Sequence, residues 1–170
     1  APPAAGLVMF SPEGLARLEA TTSDSFALDL KKWRAIMKAY EDGGHAYHAT
    51  LPTDSLLVLR DAMVETREMG FEAARAAQWD LGERVRAALA ERGFASVAAP
   101  GFAAPGVVVS HTTDPEIQSG RRFAALGMQI AAGVPLQVGE GPDFRTFRLG
   151  LFGLDKLKDV EGTLDRKSVV

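Results

Sequence analysis

Phe147-Arg148-Leu149-Gly150-Leu151-Phe152 alternates as a strand does, with Phe147, Leu149 and Leu151 on one face and Arg148, Gly150 and Phe152 on the other. Upstream, Gly106 to Thr112 holds the β-branched run Val107-Val108-Val109 and predicts a second strand. Between them, Asp114 to Ala132 reads as a helix, with Thr113 or Asp114 as its cap and Pro115 at its first position. Leu136-Gln137-Val138 reads as a short strand, Phe94 to Val97 as another, and Leu154 to about Leu164 as a closing helix. The order β-α-β-β-α after residue 94 describes a compact α/β lobe of about 75 residues, within the usual size of a small domain.

Outward from that lobe, the pattern turns helical. Phe71 to about Glu91 is a long helix with Trp79, Val85 and Leu89 among its apolar positions, and Gly93 closes it. Thr53 or Asp54 caps a helix striped by Leu56, Leu59 and Met63 that stops at Gly70. Asp29 to Tyr40 carries Leu30, Trp33, Ile36, Met37 and Tyr40 on one stripe and breaks at Glu41-Asp42-Gly43-Gly44. Ser11-Pro12-Glu13-Gly14 is a helix start, and the continuous apolar run Gly6-Leu7-Val8-Met9-Phe10 before it predicts a buried strand.

The 170 residues are 46% hydrophobic and 24% charged, with a net charge of −3, the profile of a globular protein rather than of a disordered chain. No positive field steers a polyanion, so nucleic acid is not an expected partner. No run approaches the roughly 20 apolar residues of a membrane span, and no membrane partner is expected. The absence of cysteine excludes a disulfide scaffold, a thiolate zinc site and a catalytic thiol. It fits a cytoplasmic location, which is the one expected. The opening Ala1-Pro2-Pro3-Ala4-Ala5-Gly6 has no initiator Met and no signal-peptide pattern, and suggests a piece of a longer chain.

The groups able to carry chemistry are few. His45 and His48 stand three apart, but two ligands make no metal site without a third, and HExxH is absent, so no metal is expected. His111 follows the valine strand, where a hydrogen-bonded structural histidine outweighs a catalytic one. Gly139-Glu140-Gly141 lacks the context of a dinucleotide fingerprint, and neither a P-loop nor a nucleophile elbow occurs. Tyr47 and Thr50 place two hydroxyls three apart after Gly43-Gly44; such a pair can hold a phosphate, or can simply face solvent or cap a turn. Arg148 is a guanidinium on an otherwise apolar strand and needs a partner. That partner is either an internal carboxylate or the carboxylate or phosphate of a ligand, which the planar fork suits, with Gly150 leaving room beside it.

Three segments together resemble a known family. Tyr47-His48-Ala49-Thr50-Leu51-Pro52 resembles the Tyr-His-x-Thr-x-Pro segment of class V pyridoxal-phosphate-dependent aminotransferases, of the alanine–glyoxylate, serine–glyoxylate or serine–pyruvate type. Phe147-Arg148-Leu149-Gly150-Leu151-Phe152-Gly153 resembles their Arg-x-Gly-x-x-Gly strand, and Ala1-Pro2-Pro3 with Gly6 to Ser11 resembles the segment after their cofactor-binding lysine. The resemblance implies the C-terminal half of a fold type I transferase: residues 1–79 would finish the large domain and start the linking helix, and residues 80–170 would form the small α/β domain. It implies that Tyr47 and Thr50 hold the phosphate of pyridoxal 5'-phosphate bound in the neighbouring subunit of a homodimer. It implies that Arg148 binds the α-carboxylate of a small amino acid, whose amino group passes to a 2-oxo acid. The Schiff-base lysine, the aspartate on the pyridine nitrogen and the stacking aromatic would all lie upstream of Ala1, so the isolated chain is expected to be inactive, with no catalytic residue of its own. The end at Arg166-Lys167-Ser168-Val169-Val170 is early for the family's last helix. Cysteine desulfurases, close by fold, need a cysteine that is absent. The alternative from another class is a non-catalytic α/β binding or dimerisation module.

Overall fold

The computed structural model describes residues 6–167. The Ala1-Pro2-Pro3 opening, on which part of the resemblance rests, and the Ser168-Val169-Val170 end, which is early for the family, lie outside the described residues. The chain divides into two compact units, Ala1–Ala62 and Met63–Val170.

The first unit holds α1 (Pro12–Glu19), α2 (Leu30–Glu41) and the start of α3 (Thr53–Met69), whose later turns belong to the second unit. The starts follow from the sequence. Ser11 Oγ accepts the Gly14 N–H with Pro12 at the first position, and the Asp29 carboxylate accepts the Lys32 N–H at 2.9 Å. Each such cap stabilises its helix by about 1 kcal/mol. Glu19 joins α1 to α2, its carboxylate pairing with Arg34 and its carbonyl accepting from Lys31 Nζ.

The Gly6–Phe10 run departs from expectation. It is irregular, with Leu7, Val8, Met9 and Phe10 exposed. An apolar run becomes a strand only where a second strand completes its ladder, and the described residues of this unit are helix and loop alone. Met37 and Tyr40 are exposed as well, and Ile36 is the one buried residue among the described part of the unit.

The second unit contains α4 (Phe71–Glu91), β1 (Val107–His111), α5 (Pro115–Gln118), α6 (Arg121–Ala125), β2 (Ala131–Ala132), β3 (Thr146–Gly150), α7 (Leu154–Leu157) and α8 (Val160–Lys167). The sheet has the order β1-β3-β2 with both pairs antiparallel, so β3 is central. Leu81, Val85 and Leu89 recur at a spacing of four along α4 and are completely buried against Val108, Phe147, Leu149 and Leu151. Phe147 packs edge-on to Phe94, with ring centroids 5.3 Å apart, and tilted against Phe123 at 5.6 Å. Trp79, expected among the apolar positions of the helix, is 41% exposed, while Leu81 takes the core place.

The structure revises the region between β1 and β3. The helix expected over Asp114–Ala132 is two short ones, because Gly120 adopts a left-handed backbone (φ 80°) that interrupts the hydrogen-bond ladder. The strand falls at Ala131–Ala132 and not at Leu136–Val138, where Gln137 has φ 60°. Phe94–Val97 contributes one isolated bridge, Ser96 to Ser110, and the closing helix is split into α7 and α8. Among the described residues no helix is long and apolar enough to cross a membrane.

Candidate functional site

Tyr47 and Thr50 lie in the loop between α2 and α3, after Gly44 returns its N–H to the Ala39 carbonyl. Their hydroxyl oxygens converge to 3.3 Å, and both residues are exposed, the Tyr47 ring to 78%. The loop is held by His48. Its ring stacks at a tilt on Phe26 with centroids 4.3 Å apart, meets Trp33 edge-on at 5.0 Å, and places Nε2 3.0 Å from the Phe26 carbonyl. Trp33 is itself fixed by its indole N–H on the Ala27 carbonyl at 2.8 Å. His48 is therefore a support for the two hydroxyls, and its nitrogen is taken up by backbone. Among the described residues no group of three or more His, Asp or Glu side chains is placed to hold a metal.

Arg148 sits at the middle of the central strand, directly opposite Val109 on β1 and Ala131 on β2. Alternation puts Phe147 and Leu149 into the core and Arg148 on the other face with Gly150. The side chain is half-buried, and Nε donates to the Ala132 carbonyl at 3.0 Å. No carboxylate among the described residues pairs with it. The internal carboxylate that the sequence left open as a partner is thus not found among those residues, and the two terminal nitrogens have no protein acceptor among them. Arg148 belongs to the second compact unit and Tyr47 and Thr50 to the first.

His111 ends β1, donates its backbone N–H to Ala95, and sets its ring edge-on to Phe144 at 5.5 Å. It lines an open cleft of about 450 Å³ with Phe94, Thr112, Asp114 and Arg145.

Two residues of α4 escaped the sequence reading. Arg86 donates to the carbonyls of Gly82, Ala104 and Val107, the last at 2.9 Å. Burial holds its guanidinium below the ordinary arginine range, against the opposing pull of Glu83, and its Nε is buried with no partner among the described residues. Gln78, two turns earlier, donates Nε2 to the carbonyls of Pro105 (3.0 Å) and Leu151 (3.3 Å). Between them Gly82 lets the segment come close: a Cβ there would sit 2.6 Å from the Pro105 oxygen. The spacing of four between 78, 82 and 86 was the available signal, because it places all three on one helix face.

No protein-family model matches the sequence, and no curated protein does. Among solved structures, the fold is similar to that of an alanine–glyoxylate aminotransferase from Nostoc sp., with a TM-score of 0.71 at 16% sequence identity over 93% of this chain and 41% of that one. The chain thus spans about two-fifths of the length of the structure it matches. At this identity the likeness is one of fold: helices with a small antiparallel sheet, arranged as in a stretch of an aminotransferase chain.

Proposed function

We propose that this chain is the C-terminal portion of a pyridoxal-phosphate-dependent transaminase of the class V, fold type I kind. The whole enzyme, a cytoplasmic homodimer, would move an amino group from a small amino acid such as alanine or serine to glyoxylate or pyruvate. In this reading residues 1–79 complete the large domain and begin the linking helix, and residues 80–170 are the small domain. The observation that carries it is Arg148, held at Nε and with no carboxylate partner among the described residues, on the central strand of a fold similar to that of an aminotransferase.

The donors present fit the phosphate end of the cofactor. Two exposed hydroxyls 3.3 Å apart can both reach one phosphate group without adding charge. Tyr47 and Thr50 would hold it there across the subunit interface, and His48 keeps their loop in place. When bound, pyridoxal phosphate supplies an electron sink that lets an amino acid lose its α-proton. Arg148 would take the substrate carboxylate in two parallel N–H···O bonds, which fixes the remaining substituents of the α-carbon in space. By the resemblance, the lysine that would hold the cofactor and move the proton has no counterpart in these 170 residues, and the proposal assigns them no catalytic residue.

The test is an amino-transfer assay of the full-length protein with alanine or serine as donor and glyoxylate or pyruvate as acceptor. Formation of the corresponding 2-oxo acid is expected. Cofactor-free protein with no transfer to any 2-oxo acid would favour a non-catalytic binding or dimerisation module instead.

A further inference from the structure

We propose that Gln78 is a positioning residue for Arg148, acting through the end of the β1–β3 ladder. The proposal rests on the carboxylate-binding role given to Arg148 above and adds the device that aims it. The last register pair of that ladder is Val107 with Gly150, and just past it Leu151 donates its N–H to the Gly106 carbonyl at 3.0 Å. There the ladder would open, leaving the Pro105 and Leu151 carbonyls side by side with their partial negative charges close together. The Gln78 amide closes it. A carboxamide nitrogen carries two N–H groups, and this one serves both oxygens, at 3.0 and 3.3 Å, from a part-buried place on α4.

The geometry gives this closure leverage on Arg148. The other end of β3 is fixed separately, by the Thr112 N–H on the Arg145 carbonyl at 3.0 Å and by the close seat of Gly133 against Thr146. Arg148 lies between the two moorings, three residues from Leu151, or roughly 10 Å at the usual strand rise. A slackened Leu151 end tilts the strand about its fixed end and carries the guanidinium with it. Arg86 grips the same 104–107 segment at Ala104 and Val107 but makes no bond to β3. Gln78 reaches both that segment and Leu151, the residue that follows β3, so it is a side chain through which the orientation of α4 is passed to the strand that bears Arg148.

The experiment compares Gln78→Met, which keeps the length and loses both donors, with Gln78→His, which retains one. In the full-length enzyme the expected result for Gln78→Met is a rise of about tenfold in KM for the amino donor with kcat within about twofold, the signature of lost ground-state binding. Gln78→His should fall between Gln78→Met and the parent. A lowered melting temperature with KM unmoved in both variants would overturn the proposal. Arg148→Lys is assayed on the same day. If it leaves KM unchanged, the reading of Arg148 fails; if it raises KM while the Gln78 variants do not, only the Gln78 proposal fails. On the 170-residue chain, hydrogen exchange of the Arg148 Nε–H, followed by NMR, is independent of any activity. It should quicken several-fold in Gln78→Met as the bond to Ala132 loosens. Unchanged exchange would refute the mechanical link.

Discussion

Arg148 reaches diagonally across the β3–β2 pairing, past its register partner Ala131, and donates its guanidinium Nε–H to the Ala132 carbonyl at 3.0 Å. That single bond removes the freedom of the χ angles nearest the fork while leaving the two terminal nitrogens for another molecule. Arg148→Ala in the full-length protein is expected to lower kcat/KM by roughly 30-fold to several thousand-fold, since losing one member of a charge pair costs about 2–5 kcal/mol. Arg148→Lys should not restore it, because an ammonium keeps the charge and loses the planar fork. Steady-state kinetics and thermal melts on the same preparations check this. Lost stability with ordinary kinetics would mean that Arg148 is only structural.

Tyr47 and Thr50 are expected to contribute to cofactor retention. Removing both hydroxyls in Tyr47→Phe with Thr50→Ala should weaken binding of pyridoxal phosphate by about 2 kcal/mol, at about 1 kcal/mol for each hydrogen bond. The measurement is the cofactor retained by the full-length protein on dialysis, followed by absorbance. Unaltered retention would remove the phosphate assignment.

Gly133 predicts a stability effect that no binding is needed to see. A Cβ at this position would overlap the carbonyl oxygen of Thr146, which is backbone and cannot swing aside. Gly133→Ala should destabilise the chain by at least about 3 kcal/mol, the upper part of the usual range for overpacking. Gly141→Ala is the control, for nothing lies within 4 Å of the Cβ it would add. Urea unfolding of the two variants should separate them clearly.

Arg84 and Glu161 tie α4 to α8 through two parallel bonds of 2.6 and 2.7 Å. The Arg84 hydrogen bond holds the Glu161 carboxyl below the usual glutamate range, and the same bond raises the arginine. A carboxyl with a depressed folded value stabilises the fold fully above its unfolded value, and that contribution is lost as pH falls through the folded one. Glu161→Gln should therefore be less stable than the parent at neutral pH and equal to it in acid. Both groups are solvated, so the gap is small and narrows with added salt. Denaturation curves over a pH series test the sign.

Much of this fold was legible because local signals and burial agreed. The Val107–Val109 run and the Phe147–Phe152 alternation became β1 and β3, and Ser11 and Asp114 cap helices as their residue types require. Failure came where a partner decides the outcome. Leu7 to Phe10 has strand composition and no neighbouring strand among the described residues. The Asp114–Ala132 helix was read through Gly120, whose left-handed backbone local propensity does not reveal. For the candidate site, spacing brought Tyr47 and Thr50 to notice, and their convergence to 3.3 Å needed the fold. The roles of His48, Gln78 and Arg86 depend on carbonyls up to 73 residues away, and no periodicity encodes those.

Gly82 gives this chain an inverted rule for engineering. Replacing a glycine inside a helix by alanine is ordinarily a safe gain of about 1 kcal/mol, because alanine has the lower conformational entropy to lose. In α4 the added methyl would meet the Pro105 oxygen at 2.6 Å and push away the segment that Arg86 and Gln78 hold. A library that scores helices by propensity alone would choose this substitution early, and the harm would appear at the sheet, in residues that the helix score never counts.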